Sequence, residues 1–146
     1  MTYTERFSEV WELLDTVYGL AVPAASEANT GFLHVADYIR IVVIIHPMDI
    51  NDALDIDLEQ ATTFAAGDAK ALNANGKDTT IATADTKPTV IEIRPDEFDV
   101  TGGFDWLNVE ITPANTGGDG NDYVVEVWGE PVYKPADTTN LDSVVD

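Results

Sequence analysis

Two different periods of apolar residues divide this chain. Over residues 2–18 they recur every three or four positions, at Tyr3, Phe7, Val10, Trp11, Leu14, Val17 and Tyr18. That spacing draws one stripe along a helix, with Glu5, Glu9, Glu12 and Asp15 lying off it. Thr2 followed by Glu5 is a capping-box pair, and Gly19 is a suitable stop. An amphipathic helix over 2–18 is therefore predicted. Residues 20–33 are small, Pro-containing and almost uncharged, and read as an extended linker.

From His34 onward the period becomes two. Tyr38 to Ile45 is β-branched and nearly uninterrupted, which predicts a central strand buried on both faces and ended by Pro47. Residues 53–60 alternate apolar and acidic side chains, as a strand with one wet face does. Residues 61–78 are rich in Ala, Gly, Asn and Asp and predict an exposed excursion with a helical turn at 65–72. Further strands are expected at 79–84, at 87–94 with Val90, Glu92 and Arg94 against Thr89, Ile91 and Ile93, at 104–112 with Trp106, Asn108 and Glu110 against Leu107, Val109 and Ile111, and at 122–133 with Val125, Val127 and Pro131 against Val124, Glu126 and Trp128. A step is expected at 95–99 and turns at Gly102-Gly103 and 113–121. Six or so short strands at such spacing predict a mainly β fold, an antiparallel β-sandwich or jelly-roll-like domain. The organisation expected is a helix over 1–19, a linker over 20–33, a β-core over 34–133 and a polar tail over 134–146. The helix either packs on its own domain or serves as a docking arm. In the second case Phe7, Val10, Trp11 and Leu14 are the partner-docking residues.

Composition narrows the function. With 146 residues, 45% of them apolar, the chain can bury a core. It has no Cys, so disulfides, thiolate metal sites and Cys nucleophiles are excluded. Its 27 acids against 7 bases give a formal net charge of -20, a field that repels nucleic acid and anionic lipid. No apolar run approaches the length of a membrane span, and the acidic first twenty residues do not read as a signal peptide. Neither a nucleic acid nor a membrane is an expected partner.

Catalytic constellations fail one by one. The two His, His34 and His46, and three Ser lie in no nucleophile-elbow pattern. Glycosidase chemistry needs two carboxylates in a cleft, and among 27 acids some pair qualifies by chance. Neither Gly102-Gly103 nor Gly117-Gly118 is followed by the Lys-Ser/Thr of a phosphate loop. Asp119, Asn121 and Asp122 in a Gly-rich loop are a candidate divalent-cation set, without the EF-hand spacing. A hairpin loop whose Gly and Asn take positive φ is the preferred reading, and a weak cation site the second. Trp11, Trp106 and Trp128 read as packing residues, with a sugar platform as the other reading. No enzyme and no cofactor is expected.

Three stretches carry a resemblance. They are Asp55 to Thr62 followed by Gly67 to Leu72, Ile91 to Val100 running into Gly102 to Val109, and Tyr133 to Leu141 ending Val144-Val145-Asp146. In order and spacing they resemble a family of small structural proteins of tailed bacteriophages and related prophages, over residues 33 to 146. The N-terminal segment departs from that pattern, since those proteins start with a shorter, more strand-like stretch. The resemblance implies a virion protein made in the host cytoplasm. Its implied role is decoration, or cement, on the outer capsid surface, often as a trimer, with the major capsid protein or other virion proteins as partners. Another virion part, such as a head fibre, a head–tail joining protein or a tail component, is the alternative. A carbohydrate-binding β-sandwich is a third reading.

Overall fold

The computed structural model describes residues 7–72, 77–116 and 120–132, with Ser8 and Glu9 described by their backbone alone. Among these residues ten strands carry the fold: β1 Glu12–Gly19, β2 Ala28–Asn29, β3 Leu33–His34, β4 Tyr38–Ile50, β5 Leu54–Ala61, β6 Lys70–Ala71, β7 Thr79–Ile81, β8 Thr89–Ile93, β9 Trp106–Pro113 and β10 Asn121–Pro131. They form two antiparallel sheets. Sheet I runs β1-β10-β4-β8, and sheet II runs β2-β9-β5-β6, with β3 also on β9 and β7 on β5.

Alternation in the long strands positions the core. Ile41, Val43 and Ile45 of β4 and Tyr123, Val125 and Val127 of β10 are fully buried. So are Leu54 and Leu58 of β5 and Leu107, Val109 and Ile111 of β9, with Ile56 nearly so. Residues from both sheets join in one hydrophobic cluster, which also takes in Leu72, Ile81, Ile91, Ile93 and Phe98. Burying each such side chain stabilises the fold by roughly 1.5–3 kcal/mol. The faces predicted for β5, β8, β9 and β10 are the faces observed.

The N-terminal helix is not formed. Helical structure there is one turn, Phe7–Val10, and Glu12–Gly19 is an edge strand of sheet I. The sequence from Leu13 on also fits a period of two once a bulge is allowed. Val17 and Gly19 then lie opposite Val125 and Tyr123, and a register shift falls between Leu13 and Asp15. Pairing with β10 supplies the backbone hydrogen bonds that an isolated helix of this length would hold only marginally. The Thr2–Glu5 pair lies outside the described residues. The stretch read as a linker adds β2 and β3 to the edge of sheet II.

Other differences have equally local causes. β4 does not stop at Pro47 but runs to Ile50, because the register shift between Asp122 and Tyr123 falls where Pro47 offers no amide. β4 is central, yet only its inner face is fully buried; Val42 and Ile44 are half-buried on the outer one. The helical turn expected at 65–72 is absent. Asp68 instead accepts hydrogen bonds from the amide (3.2 Å) and hydroxyl (2.7 Å) of Thr62, which folds 62–68 into a compact loop before β6. The step at 95–99 is a 3-10 turn over Pro95–Glu97, closed by Glu97 accepting from the Arg94 amide at 2.7 Å.

Tyr123 is fully buried, and its hydroxyl has no hydrogen-bond partner among the described residues. A buried donor left unpaired costs about 1–3 kcal/mol. Tyr123→Phe keeps the ring and removes that group. It is expected to stabilise the protein by about 1 kcal/mol, read as a higher urea midpoint at an unchanged slope.

Candidate functional site

The two sheets turn outer faces of opposite chemistry away from the shared core. On sheet I the outward residues follow from the pairing register. Thr16, Glu126, Ile44 and Val90 form one row across β1, β10, β4 and β8. Tyr18, Val124 and His46 form the next row, and Trp128, Val42 and Glu92 the row on the other side. Tyr18 is 69% exposed, Val90 57% and Met48 55%. The face is therefore an apolar band on a strongly acidic protein.

Two of the face's acids, Glu130 and Glu126, have a basic side chain beside them, while Glu92 forms no ion pair among the described residues. Glu130 takes both Arg40 Nε (3.2 Å) and Nη2 (2.9 Å), and His46 Nε2 lies 3.7 Å from Glu126. At one end the N-terminal turn lies over the sheet. Phe7 meets Trp128 edge-on at 5.0 Å between ring centres and stacks on Trp11 at 6.1 Å. The Arg40 guanidinium sits 4.8 Å above the Trp11 ring. Of the residues singled out for docking, Phe7 and Trp11 thus share this face with Trp128. Val10 is half-buried, and Leu14 packs against the core from β1. Trp128, read from the sequence as a packing residue, belongs to the same cluster, because alternation with the buried Val125 and Val127 along β10 turns it outward.

Sheet II, away from Trp106 at one end of β9, shows mainly carboxylates and small polar groups. Asp55, Asp57 and Glu59 project from β5, Glu110 from β9 opposite Asp57, and Asp78 and Glu27 adjoin them. Among the described residues none of the six forms an ion pair with Lys, Arg or His. Partial burial, helped by Glu59, Glu27 and Asp57, pushes the Glu110 carboxyl up to about 7. Partial burial and the neighbouring Asp78, Asp55 and Glu59 also raise Asp57. Asn108 donates to both Glu59 (3.3 Å) and Glu110 (3.1 Å), tying the pair together.

That arrangement has a pH signature. Glu110 keeps its proton more tightly folded than unfolded, so its contribution to stability is full below about pH 4.5 and fades as pH rises through about 7. The urea midpoint of the wild type is expected to fall across that window relative to Glu110→Gln. Parallel curves for the two proteins would contradict the assignment.

A third cluster lies beside the 3-10 turn. Val35, Phe98, Val100, Phe104 and Asp105 line an apolar hollow of about 230 Å³. Near it His34 Nε2 stands 3.3 Å from Asp105, and the His34 and Phe64 rings lie 5.0 Å and 6.0 Å from Trp106. Lys70 covers the Phe104 ring at 3.8 Å and pairs with Asp99 at 2.6 Å, which holds Asp99 below the usual carboxylate range.

The loop residues considered as a cation set have structural duties. Asn121 is fully buried, and its carbonyl accepts the amides of Asn51 and Asp52, each at 2.9 Å. Asp122 accepts the Ala21 amide at 2.7 Å, and Asp119 lies outside the described residues. Among the described residues no group of three or more His, Asp or Glu is gathered to hold a metal ion. Nor does any described helix have the length and apolarity to cross a membrane. The Trp residues stand on outer faces, half-buried, rather than in the core. No protein-family model matches the chain, and no curated protein matches it either.

Proposed function

We infer that this chain is a non-enzymatic structural protein of a virus particle, a decoration or cement protein on the outer capsid surface of a tailed phage. One observation carries the reading. A small β-body presents an apolar face with few net charges on one side and a carboxylate-rich face on the other. A subunit of a larger assembly covers the first kind of face and turns the second to solvent. The resemblance to small phage structural proteins supplies the particle. The two sheets are read as the layers of a jelly-roll-like sandwich, a rigid body suited to repetition on a lattice. The major capsid protein is the proposed lattice partner. The carboxylates of sheet II, repelling nucleic acid, suit an outward orientation.

Quantitative mass spectrometry of purified particles tests this. A copy number matching the shell subunits is expected. Absence from particles overturns the reading, and a number matching one vertex moves the protein to a head–tail or fibre role.

The exposed Phe64 beside Trp106, with His34 and Asp105 adjoining, favours a second reading as a glycan-binding module. Trp106 and Trp128 lie on different sheets, so this reading rests on Phe64 and Trp106 as the platform. Glycan-array binding lost in Trp106→Ala would favour it, and a blank array would remove it.

A further inference from the structure

A β-protein meets other chains through sheet edges or sheet faces, and the edges here are blunted. On β1 the Thr16 amide is taken by the Asp15 carboxylate at 2.8 Å, next to the bulge. On β8, Lys77 donates to the Glu92 carbonyl and pairs with Glu97 at 3.0 Å. An edge carrying a bulge and a carboxylate, or an ammonium group on its backbone, resists further strand pairing. The flanks of sheet II end in strands of two or three residues, β2, β3, β6 and β7. Association is left to the faces.

Charge then separates the faces. The outer face of sheet II sets six carboxylates together without an ion-paired cation, so two copies meeting there would stack like charges. A basic partner would be drawn to that side. The outer face of sheet I pairs Glu130 with Arg40, sets the His46 ring 3.7 Å from Glu126 and carries Glu92, around an apolar centre of Tyr18, Ile44, Val90 and Val124. Arg94 follows Val90 and Glu92 in the outward alternation of β8. Of the five Lys and Arg among the described residues, Arg40 and Arg94 thus fall on this face, with Lys77 at its edge.

The geometry points to a second copy of this chain as the occupant of the sheet I face, the two copies packed face to face about a two-fold axis. On a chain of net charge -20, this is an apolar surface where Glu92, Glu126 and Glu130 stand against Arg40 and Arg94, so the local charges of two copies nearly cancel. The pairing deepens the proposed association of subunits but does not depend on a virus particle. Its salt dependence is characteristic. Screening weakens the long-range repulsion between copies and leaves apolar burial intact, so the dimer tightens as salt rises. A complex with a basic partner loosens under the same change.

Sedimentation equilibrium of the full chain, at low and at molar sodium chloride, reads this directly. A concentration-dependent dimer that tightens with salt is expected. Val90→Glu, at an exposed position, is expected to weaken it at least tenfold (about 1.4 kcal/mol). Ala84→Glu adds the same charge at an exposed turn that follows β7 of sheet II, outside the paired rows of sheet I, and is expected to leave it unchanged beyond a small general repulsion. Circular dichroism and the urea midpoint establish that both variants fold. A monomer at every concentration and salt overturns the proposal, as does a trimer, a dimer dispersed by salt, or a dimer that Val90→Glu leaves intact. The particle reading is judged separately by mass spectrometry, so either can fail alone.

Discussion

Asn121→Ala is expected to destabilise the protein by about 4 kcal/mol, at the upper end of single-residue effects. The Asn121 amide is fully buried at the start of β10 and joins three segments. Its oxygen accepts the amides of Asn51 and Asp52 in the β4–β5 turn. Its nitrogen donates to the Val22 carbonyl at 3.0 Å and to the Asp52 carboxylate at 3.2 Å. Alanine removes all four bonds at once from groups that have little water to replace them. Asp52 is itself fully buried and also accepts from the Thr116 hydroxyl. Urea denaturation measures the loss, and a change below about 1 kcal/mol would contradict the network. Asn121→Asp separates its two halves. It keeps the accepting oxygen but sets a second carboxylate against Asp52, so its defect should shrink as pH falls and one proton is shared.

Gly129→Ala is the second large effect, expected to cost about 3 kcal/mol or more. Gly129 lies in β10 at the centre of sheet I, paired with Ile41 on one side and Glu12 on the other. A Cβ there would stand 2.4 Å from Cδ1 of the Tyr38 ring, which is itself buried. The ring has no open side to move into without disturbing the cluster it belongs to. Combining Gly129→Ala with Tyr38→Ala removes the clash. The double variant should be more stable than the sum of the two single losses, by at least about 1 kcal/mol. Strict additivity would place the cause elsewhere. Gly19 faces the Tyr123 ring at the same 2.4 Å but lies on the edge strand β1, where the backbone shifts more readily, so Gly19→Ala should cost less.

Where the sequence alternated without interruption, it was read correctly. Asp55, Asp57 and Glu59 against Ile56 and Leu58 gave β5 its wet and dry faces, and Leu107, Val109 and Ile111 gave β9 its inner one. The reading failed at residues 10–19 because Val10, Trp11, Leu14, Val17 and Tyr18 satisfy a helical stripe, while a bulge hides their strand period. Deciding between them required β10, more than a hundred residues away in the chain. Pro47 misled for the same reason, since the bulge that accommodates it is made with the partner strand. For the candidate site, Phe7 and Trp11 were visible as aromatics with work to do. Their neighbours Trp128 and Arg40 come from two other strands, and no local spacing joins them. The carboxylate face was legible as acidity on β5, but its opposition to Glu110 depends on the β5–β9 register.

The place of β10 has a consequence for how the protein is made. It is the last strand of the described chain, yet it stands in the middle of sheet I, between β1 and β4. A ribosome has therefore released every other described strand before this sheet can close. Until then the β4–β8 pair offers the open side of β4, with Ile41, Val43 and Ile45 uncovered by β10, while β1 has nothing to pair with. Such long-range closure is slow, and the waiting strands are prone to join those of neighbouring nascent chains. Products cut short before Asn121 should collect in the insoluble fraction of the cell, whereas the finished chain threads its own last strand into the gap.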